Sequence, residues 1–237
     1  MKPERKLAET TTREGARLAL YEHDGSYAIR LDGQTLMNSA MSASELLLGE
    51  LAMKRLTDQS LVSVLIGGLG LGFSLKSVLA KTAPGSAINV AELILQVVEW
   101  NREFLASVNG TLVDDPRVTI FIDDVWNVLA RAPQSQYDAI VIDIDNGPAA
   151  MVQKPNFRLY HQNGIRMMID ALKPGGRAVI WSAAWDDAFA NRLSAAGFRI
   201  SAVPAKLYSK AKRNGCVLYV ADKPLSAGSR LPETEAD

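Results

Sequence analysis

Two groups of residues in this chain have types and spacings suited to chemistry. The first is the glycine cluster of Leu61-Val-Ser-Val-Leu-Ile-Gly-Gly-Leu-Gly-Leu-Gly72, in which Gly67, Gly68, Gly70 and Gly72 fall within six positions. Glycines this dense after an apolar run mark a place where the backbone bends sharply or lets a ligand approach closely. The second group is a series of acids. Glu92 lies about 20 residues beyond the glycines, where a carboxylate can accept both hydroxyl hydrogens of a ribose. Asp123 and Asp124 follow, placed to accept from an exocyclic adenine amine or to cap a helix. Asp143 and Asp145 close the apolar run that begins at Tyr137, two residues apart and so on the same side while a strand lasts. An acid there can orient or deprotonate an amine, or hold a cation.

Each has a plain structural reading beside the chemical one. The glycines also suit a tight turn without a ligand, and Glu92 a first-turn acid favoured by a helix dipole. Paired acids also bind metals, but no His lies near them in sequence, and His23 and His161 stand alone, so no metal is expected. Trp181 and Trp185 flank one strand end and are placed to line a pocket. Lys206, Lys210, Lys212 and Arg213 read as a solvated basic turn.

The elements that must position these residues alternate in type. Strands are expected at 61–66, 87–93, 117–122, 137–144, 177–182, 198–203 and 216–221. Helices are expected at 73–81, 95–108, 125–131, 159–172 and 185–196. Short apolar runs alternating with helical patterns mean a parallel sheet with right-handed crossovers. The last two runs have no helix between them, so an antiparallel hairpin should finish one edge. Upstream, Asp24-Gly25 and Asp32-Gly33 are turn signals within a small β-meander. Residues 1–14 are polar and read as a frayed end. Ser42-Ala-Ser-Glu45 has the capping-box pattern and opens a helix. The division expected is 1–58 for meander and helix, 59–222 for a Rossmann-like domain, and 223–237 for a disordered tail.

Composition narrows the classes. The 237 residues are 48% hydrophobic and 22% charged, enough for a sizeable core. Lys+Arg and Asp+Glu balance at 26 each, which gives no global field for nucleic acid. No apolar run approaches the ~18 residues of a membrane span. The start lacks a secretory pattern, and the single Cys216 excludes an internal disulfide, which together favour the cytoplasm.

Order and spacing resemble the spermidine-synthase-like branch of class I S-adenosylmethionine-dependent transferases. The likeness runs through Ile66-Gly-Gly-Leu-Gly-Leu-Gly72, Glu92, Asp115-Pro-Arg-Val118 leading to Asp124, Tyr137-Asp-Ala-Ile-Val-Ile-Asp143 and Leu172-Lys-Pro-Gly-Gly176. Leu31-Asp-Gly33, followed by a helix with Glu45, also resembles the entry to polyamine synthases. The resemblance implies an α/β fold: a Rossmann-like seven-stranded, mostly parallel sheet with an antiparallel last strand. It implies S-adenosylmethionine or its decarboxylated form as co-substrate. The glycines would wrap the donor tail, Glu92 would hold the ribose, Asp124 the adenine amine, and Asp143 would handle the amine acceptor. Three departures stand out. Gly70 occupies the place where these enzymes carry an Asp. Their second fourth-strand acid is represented here by Asp145, grouped with Asp143, or by Asn146, grouped with the donor-binding residues. The helix entry Leu36-Met-Asn-Ser-Ala-Met-Ser-Ala-Ser44 is nearly without charge.

The expected activity is alkyl transfer to a small, amine acceptor, aminopropyl or methyl. Alternatives are a small-molecule methyltransferase and a non-catalytic nucleotide-binding or dimerisation protein. A dehydrogenase is disfavoured, because Phe73 stands where the dinucleotide fingerprint counted from Gly68 needs its third glycine. The apolar entry and the methionines from Met37 to Met53 suit a weakly charged acceptor or, with the meander, a homodimer surface. No nucleic acid or membrane partner is expected.

Overall fold

A computed structural model describes residues 3–56, 61–144, 147–148 and 154–225, with the side chains of 154–156 outside the description. Four antiparallel strands come first: β1 (Arg5–Thr11), β2 (Arg17–His23), β3 (Ser26–Leu31) and β4 (Gln34–Asn38), paired in chain order. Part of the end expected to fray is thus β1. Its backbone pairs with β2 from Arg5–Glu22 to Thr11–Arg17, and Leu7 and Ala8 pack on the core. The polar side chains that suggested disorder face outward from a paired strand.

Helix α1 (Ala43–Met53) follows. The main sheet then takes β5 (Ser63–Gly67), β6 (Ala87–Glu92), β7 (Val118–Ile122), β8 (Tyr137–Ile142), β9 (Leu172–Ser182), β10 (Arg199–Ala205) and β11 (Cys216–Asp222). Their spatial order is β10-β11-β9-β8-β5-β6-β7. All neighbours pair in parallel except β11, which runs antiparallel to both β9 and β10. The expected sheet, with its antiparallel final strand, is the one observed. Near-continuous apolar strands mean that both faces are covered. Val64 and Ile66 join one buried cluster while Leu65 between them joins the other, and Val141 and Ile140 divide the same way.

The helices are α2 (Phe73–Leu79), α3 (Leu95–Glu103), α4 (Ala106–Asn109), α5 (Val125–Arg131), α6 (Gln162–Ala171) and α7 (Asp187–Ala195). The single helix expected at 95–108 is broken at Phe104–Leu105, and that at 159–172 starts at Gln162 after a 3-10 turn over Lys154–Tyr160. Lys173 to Gly176, expected only to stop a helix, already belong to β9, whose Leu172 pairs with Tyr137. Leu18, Leu20 and Ile29 of the N-terminal sheet share one buried cluster with Val64, Ile66 and Ile88, so that sheet packs on the main one. The boundary expected at 58/59 and residues 226–237 of the expected tail lie outside the described residues. Among the described residues no helix is long and apolar enough to cross a membrane.

Helix α1 packs across one face of the main sheet, so that its first turn reaches the carboxyl ends of the central strands and its end lies near the start of β9. Ser77 on α2 donates to the Leu46 carbonyl at 2.6 Å. A Cβ on Gly49 would come within 2.6 Å of the Ser77 Cβ, so glycine sets how closely α1 and α2 approach. Arg177, buried on β9 and paired with Asp222 at 2.7 Å, donates to the Leu51 carbonyl. The Ala43 amide donates to the Leu207 carbonyl at the other end of α1.

Candidate active site

In open α/β sheets the strand order reverses at a switch point, and ligands bind outside the carboxyl ends there. Here β5 is the switch strand, between β6 and β8. A cavity of about 500 Å³ opens at that place, roofed by β4 and the start of α1. Gly68, Gly70, Glu92, Asp123, Asp124 and Asp143, drawn from four separate loops, all line it. Asp145 and Asn146 lie outside the described residues.

The glycines divide their tasks. Gly68 has φ +91°, and a Cβ there would be driven onto the Asp143 carbonyl, so the turn requires glycine at this position. Its amide donates to the Ala91 carbonyl at 2.9 Å, and the Asp143 amide donates to the Gly67 carbonyl at 2.8 Å. Those two bonds lock the ends of β5, β6 and β8 together. Gly67 and Gly72 are not in the cavity wall; they let Val125 and the buried Asn101 and Asn109 approach. Asn101 donates to the Gly70 carbonyl at 2.8 Å and Asn109 to that of Leu71, so two buried amides fix the shape of the turn. Gly70 faces Met37, whose Sδ would stand 2.8 Å from a Cβ there.

Glu92 is buried, 8% exposed, at the end of β6. Its Oε2 accepts from the Leu69 amide at 3.0 Å and its Oε1 from the Ile94 amide at 2.9 Å. Burial raises its pKa, and these backbone donors oppose the rise. Asp124 caps α5, its Oδ1 accepting from the Trp126 amide at 2.8 Å, while its Oδ2 accepts from Arg158 at 2.6 Å. Asp123 accepts from Arg131 and Asn127, and the Arg131 guanidinium holds its pKa down at about 2.

Asp143 stands past the end of β8. Ser74 on α2 donates to its Oδ2 at 2.5 Å. Facing it is Glu45 of α1, whose Oε2 is closed off from solvent without a hydrogen-bond partner. Burial is the main cause that pushes Glu45 up to about 9, with the Asp143 charge adding to it. Burial likewise lifts Asp143 to about 6, against the Ser74 hydrogen bond. Both carboxyls are thus pushed toward the protonated form, and two like charges so placed disfavour ionising together. The capping box expected at Ser42 does not form: Ser42 makes no side-chain cap bond, and Glu45 turns into the cavity instead of back along the helix. Ser74 was not singled out by sequence, since a serine inside a helix carries no signal until its partner is known. Of the two tryptophans, Trp181 lines the cavity. Trp185 stacks on Tyr219 at 4.9 Å and donates to Asp187.

The wall thus carries five acids, Glu45, Glu92, Asp123, Asp124 and Asp143, and no Lys, Arg or His among the described residues. Among those residues there is no group of three or more His, Cys, Asp or Glu arranged to hold a metal ion.

A doubly wound sheet with a glycine corner, a buried acid at the end of the neighbouring strand and a cavity at the switch point defines a Rossmann-like α/β fold. Comparison carries this further. The family model for the spermine/spermidine synthase domain matches residues 47–187, more than half of the chain, and the chain belongs to that family. It is 34% identical over 117 residues to a polyamine aminopropyltransferase of Aeropyrum pernix, covering 48% of this chain and 35% of that protein. It is 32% identical over 117 residues to a spermine synthase of Arabidopsis thaliana, covering 48% of this chain and 30% of that one. The matches thus span about a third of the length of these relatives. The crystal structure of spermidine synthase from Thermotoga maritima superposes with a TM-score of 0.71 at 21% identity, over 93% of this chain and 74% of that one, and shares the fold.

Proposed function

We propose that this chain transfers the aminopropyl group of decarboxylated S-adenosylmethionine to an amine. The observation that carries the reading is the make-up of the cavity wall: five acids, two of them ion-paired from outside it by Arg131 and Arg158, and no basic side chain among the described residues that line it. Decarboxylated S-adenosylmethionine brings a sulfonium and an ammonium and no carboxylate. S-adenosylmethionine brings a carboxylate, which would meet acids and no cationic side chain among the described residues that line the cavity. The curated relatives named aminopropyltransferase and spermine synthase support the same choice.

In this reading Glu92 holds the ribose, the Asp123–Asp124 pair faces the adenine edge, and the Gly68–Gly70 turn passes beneath the aminopropyl tail. Asp145 and Asn146 are proposed to complete the site beside Asp143. The acceptor ammonium gives one proton to the Asp143 carboxylate. The freed nitrogen lone pair forms a bond to the aminopropyl carbon next to sulfur. That carbon–sulfur bond breaks, its electron pair returning to sulfur, which leaves as neutral methylthioadenosine. The product is a secondary ammonium. Holding nitrogen, carbon and sulfur in line is the main catalytic task, since the sulfonium is already a good leaving group. No step calls on a metal. A cytoplasmic location suits the reading. Leu36 (39% exposed) and Met41 (41%), beside the mouth, suit a second copy of this chain docking on the N-terminal region.

Calorimetry with decarboxylated S-adenosylmethionine, S-adenosylmethionine and NAD tests the donor. The decarboxylated form is expected to bind at least tenfold more tightly than S-adenosylmethionine. Preference for the carboxylated form would favour methyl transfer, and binding of NAD alone would end the proposal.

A further inference from the structure

The two edges of the main sheet differ. Strand β10, at one edge, carries Arg199 at its start and Pro204 near its end, and a charge or a proline blunts an open edge against further pairing. Strand β7, at the other edge, is Val118-Thr-Ile-Phe-Ile122, wholly β-branched or aromatic and without charge, proline or glycine. Phe121 is 36% exposed and Ile122 41%. Two backbone bonds fix which way this strand faces. The Ile88 amide donates to the Arg117 carbonyl at 2.8 Å, and the Asp123 amide donates to the Glu92 carbonyl at 3.1 Å. Backbone groups alternate in direction along a strand, so the odd-numbered residues from Arg117 to Asp123 turn theirs to β6. Val118, Ile120 and Ile122 turn theirs to the open edge. The Val118 amide is taken there by the Asp115 carbonyl at 2.9 Å, while the Ile120 and Ile122 groups meet no strand among the described residues. An edge of this kind is a template for another strand.

We propose that the β7 edge pairs with the β7 edge of a second copy of this chain, antiparallel about a two-fold axis at Ile120, so that the two main sheets run on as one. The strand is self-complementary in that register. The outward groups of Ile120 exchange a pair of hydrogen bonds with those of Ile120 in the other copy, and each Ile122 amide donates to the facing Val118 carbonyl. The Val118 amide, already bonded, is not needed. On one face the two Ile120 side chains meet. On the other, Phe121 faces Thr119, and Arg117 faces Asp123 of the other copy. Arg117 is ion-paired to its own Asp115, and Asp123 to its own Arg131, so the contact would join these pairs into a network of alternating sign. Opposite charges across a ladder favour a register, and like charges disfavour it. Moving the axis by one residue to Thr119 would set Asp115 against Asp123. Such an isologous contact is the commonest way for identical chains to associate. Asp123 also lines the cavity, so the contact abuts the site. It is separate from the N-terminal docking suggested above, and a chain using both would assemble beyond a dimer.

The test measures the mass of the full chain in solution by light scattering, with the thermal melt of each variant as a check on its fold. Phe121→Lys changes an exposed side chain and is expected to halve the mass. Ile120→Pro removes an amide that points away from β6, a place where an edge strand tolerates proline, and is expected to do the same. A wild type that is monomeric at the highest attainable concentration overturns the proposal, and so does an associated wild type whose mass neither substitution lowers. The register has its own test, which does not depend on either variant folding. Thr119 and Phe121 of the two copies would form a non-hydrogen-bonded pair, with Cα atoms about 4.5 Å apart, inside the range of about 4.4–6.8 Å that a disulfide spans. Thr119→Cys chains mixed with Phe121→Cys chains and treated with oxidised glutathione are therefore expected to give a covalent dimer, and each variant alone is not. Cys216 is buried and does not compete. Cross-linking of Thr119→Cys with itself as readily as with Phe121→Cys, or no cross-link in the mixture, would overturn the pairing about Ile120.

Discussion

Ser74, the second residue of α2, donates its hydroxyl to Asp143 Oδ2 at 2.5 Å, so the helix that follows the glycine turn also sets the carboxylate that closes β8. The hydrogen bond favours the ionised form of an acid that burial otherwise pushes up. Ser74→Ala removes that support. Its Asp143 should titrate at higher pH, and the acidic limb of the kcat/KM profile should move up with it. Donor affinity by calorimetry should stay within about twofold. A limb that does not move would mean that another group controls the rate at low pH.

If Asp143 takes the proton from the acceptor, the reaction needs its carboxylate form. Its pKa of about 6 then puts the fall in rate below neutrality: kcat/KM should drop as pH falls through about 6, approaching tenfold per unit. Asp143→Asn should abolish that limb and lower kcat by about 10²–10⁴-fold, the usual worth of a positioned acid–base group. The donor should still bind. An Asn variant that turns over at the wild-type rate would remove Asp143 from the chemistry.

Glu92 accepts from the Leu69 and Ile94 amides and also lines the cavity, where the proposed reading has it hold the ribose. Glu92→Ala leaves two backbone donors without their acceptor, at roughly 1–3 kcal/mol for each buried group left unsatisfied. The expected outcome is a lower melting temperature together with a donor Kd raised about tenfold or more. Glu92→Gln keeps an acceptor oxygen for one amide and should recover part of the stability but little of the affinity. If both variants bind the donor normally, Glu92 serves the turn alone.

What the sequence made legible and what it hid follow from range. The glycine cluster, Glu92 and Asp143 were readable because each sits at a fixed offset from an apolar strand, and strand ends fall on one edge of a parallel sheet. The parallel sheet followed from the same alternation, and the antiparallel final hairpin from the missing helix between the last two strands. Strand β1 was not readable, because its exposed, polar residues are held by pairing with β2, which local composition does not report. Glu45 was misread for a similar reason. Ser42 and Glu45 have the local signature of a capping box, yet the carboxyl packs against a partner 98 positions away in the chain. Ser74, Asn101 and Asn109 are likewise visible only once the loops they brace are in place.

Glu45 gives the most direct stability test of the acid pair. In the folded chain burial and the Asp143 charge hold its pKa near 9, against an ordinary value of 4.5. Between those values the folded state keeps a proton that the unfolded state has released. Folding stability therefore falls as pH rises through that window, and the favourable contribution is whole only below about pH 4.5. Glu45→Gln cannot ionise and fits the same space. Its melting temperature should match the wild type near pH 5 and exceed it increasingly toward pH 9, by about 2–4 °C for each kcal/mol relieved. Thermal melts at pH 5, 7 and 9 without ligand decide the matter. A wild type that is the more stable at pH 9 would mean that Glu45 is ionised and paired with a cation when folded, and its protonated state would have to be given up.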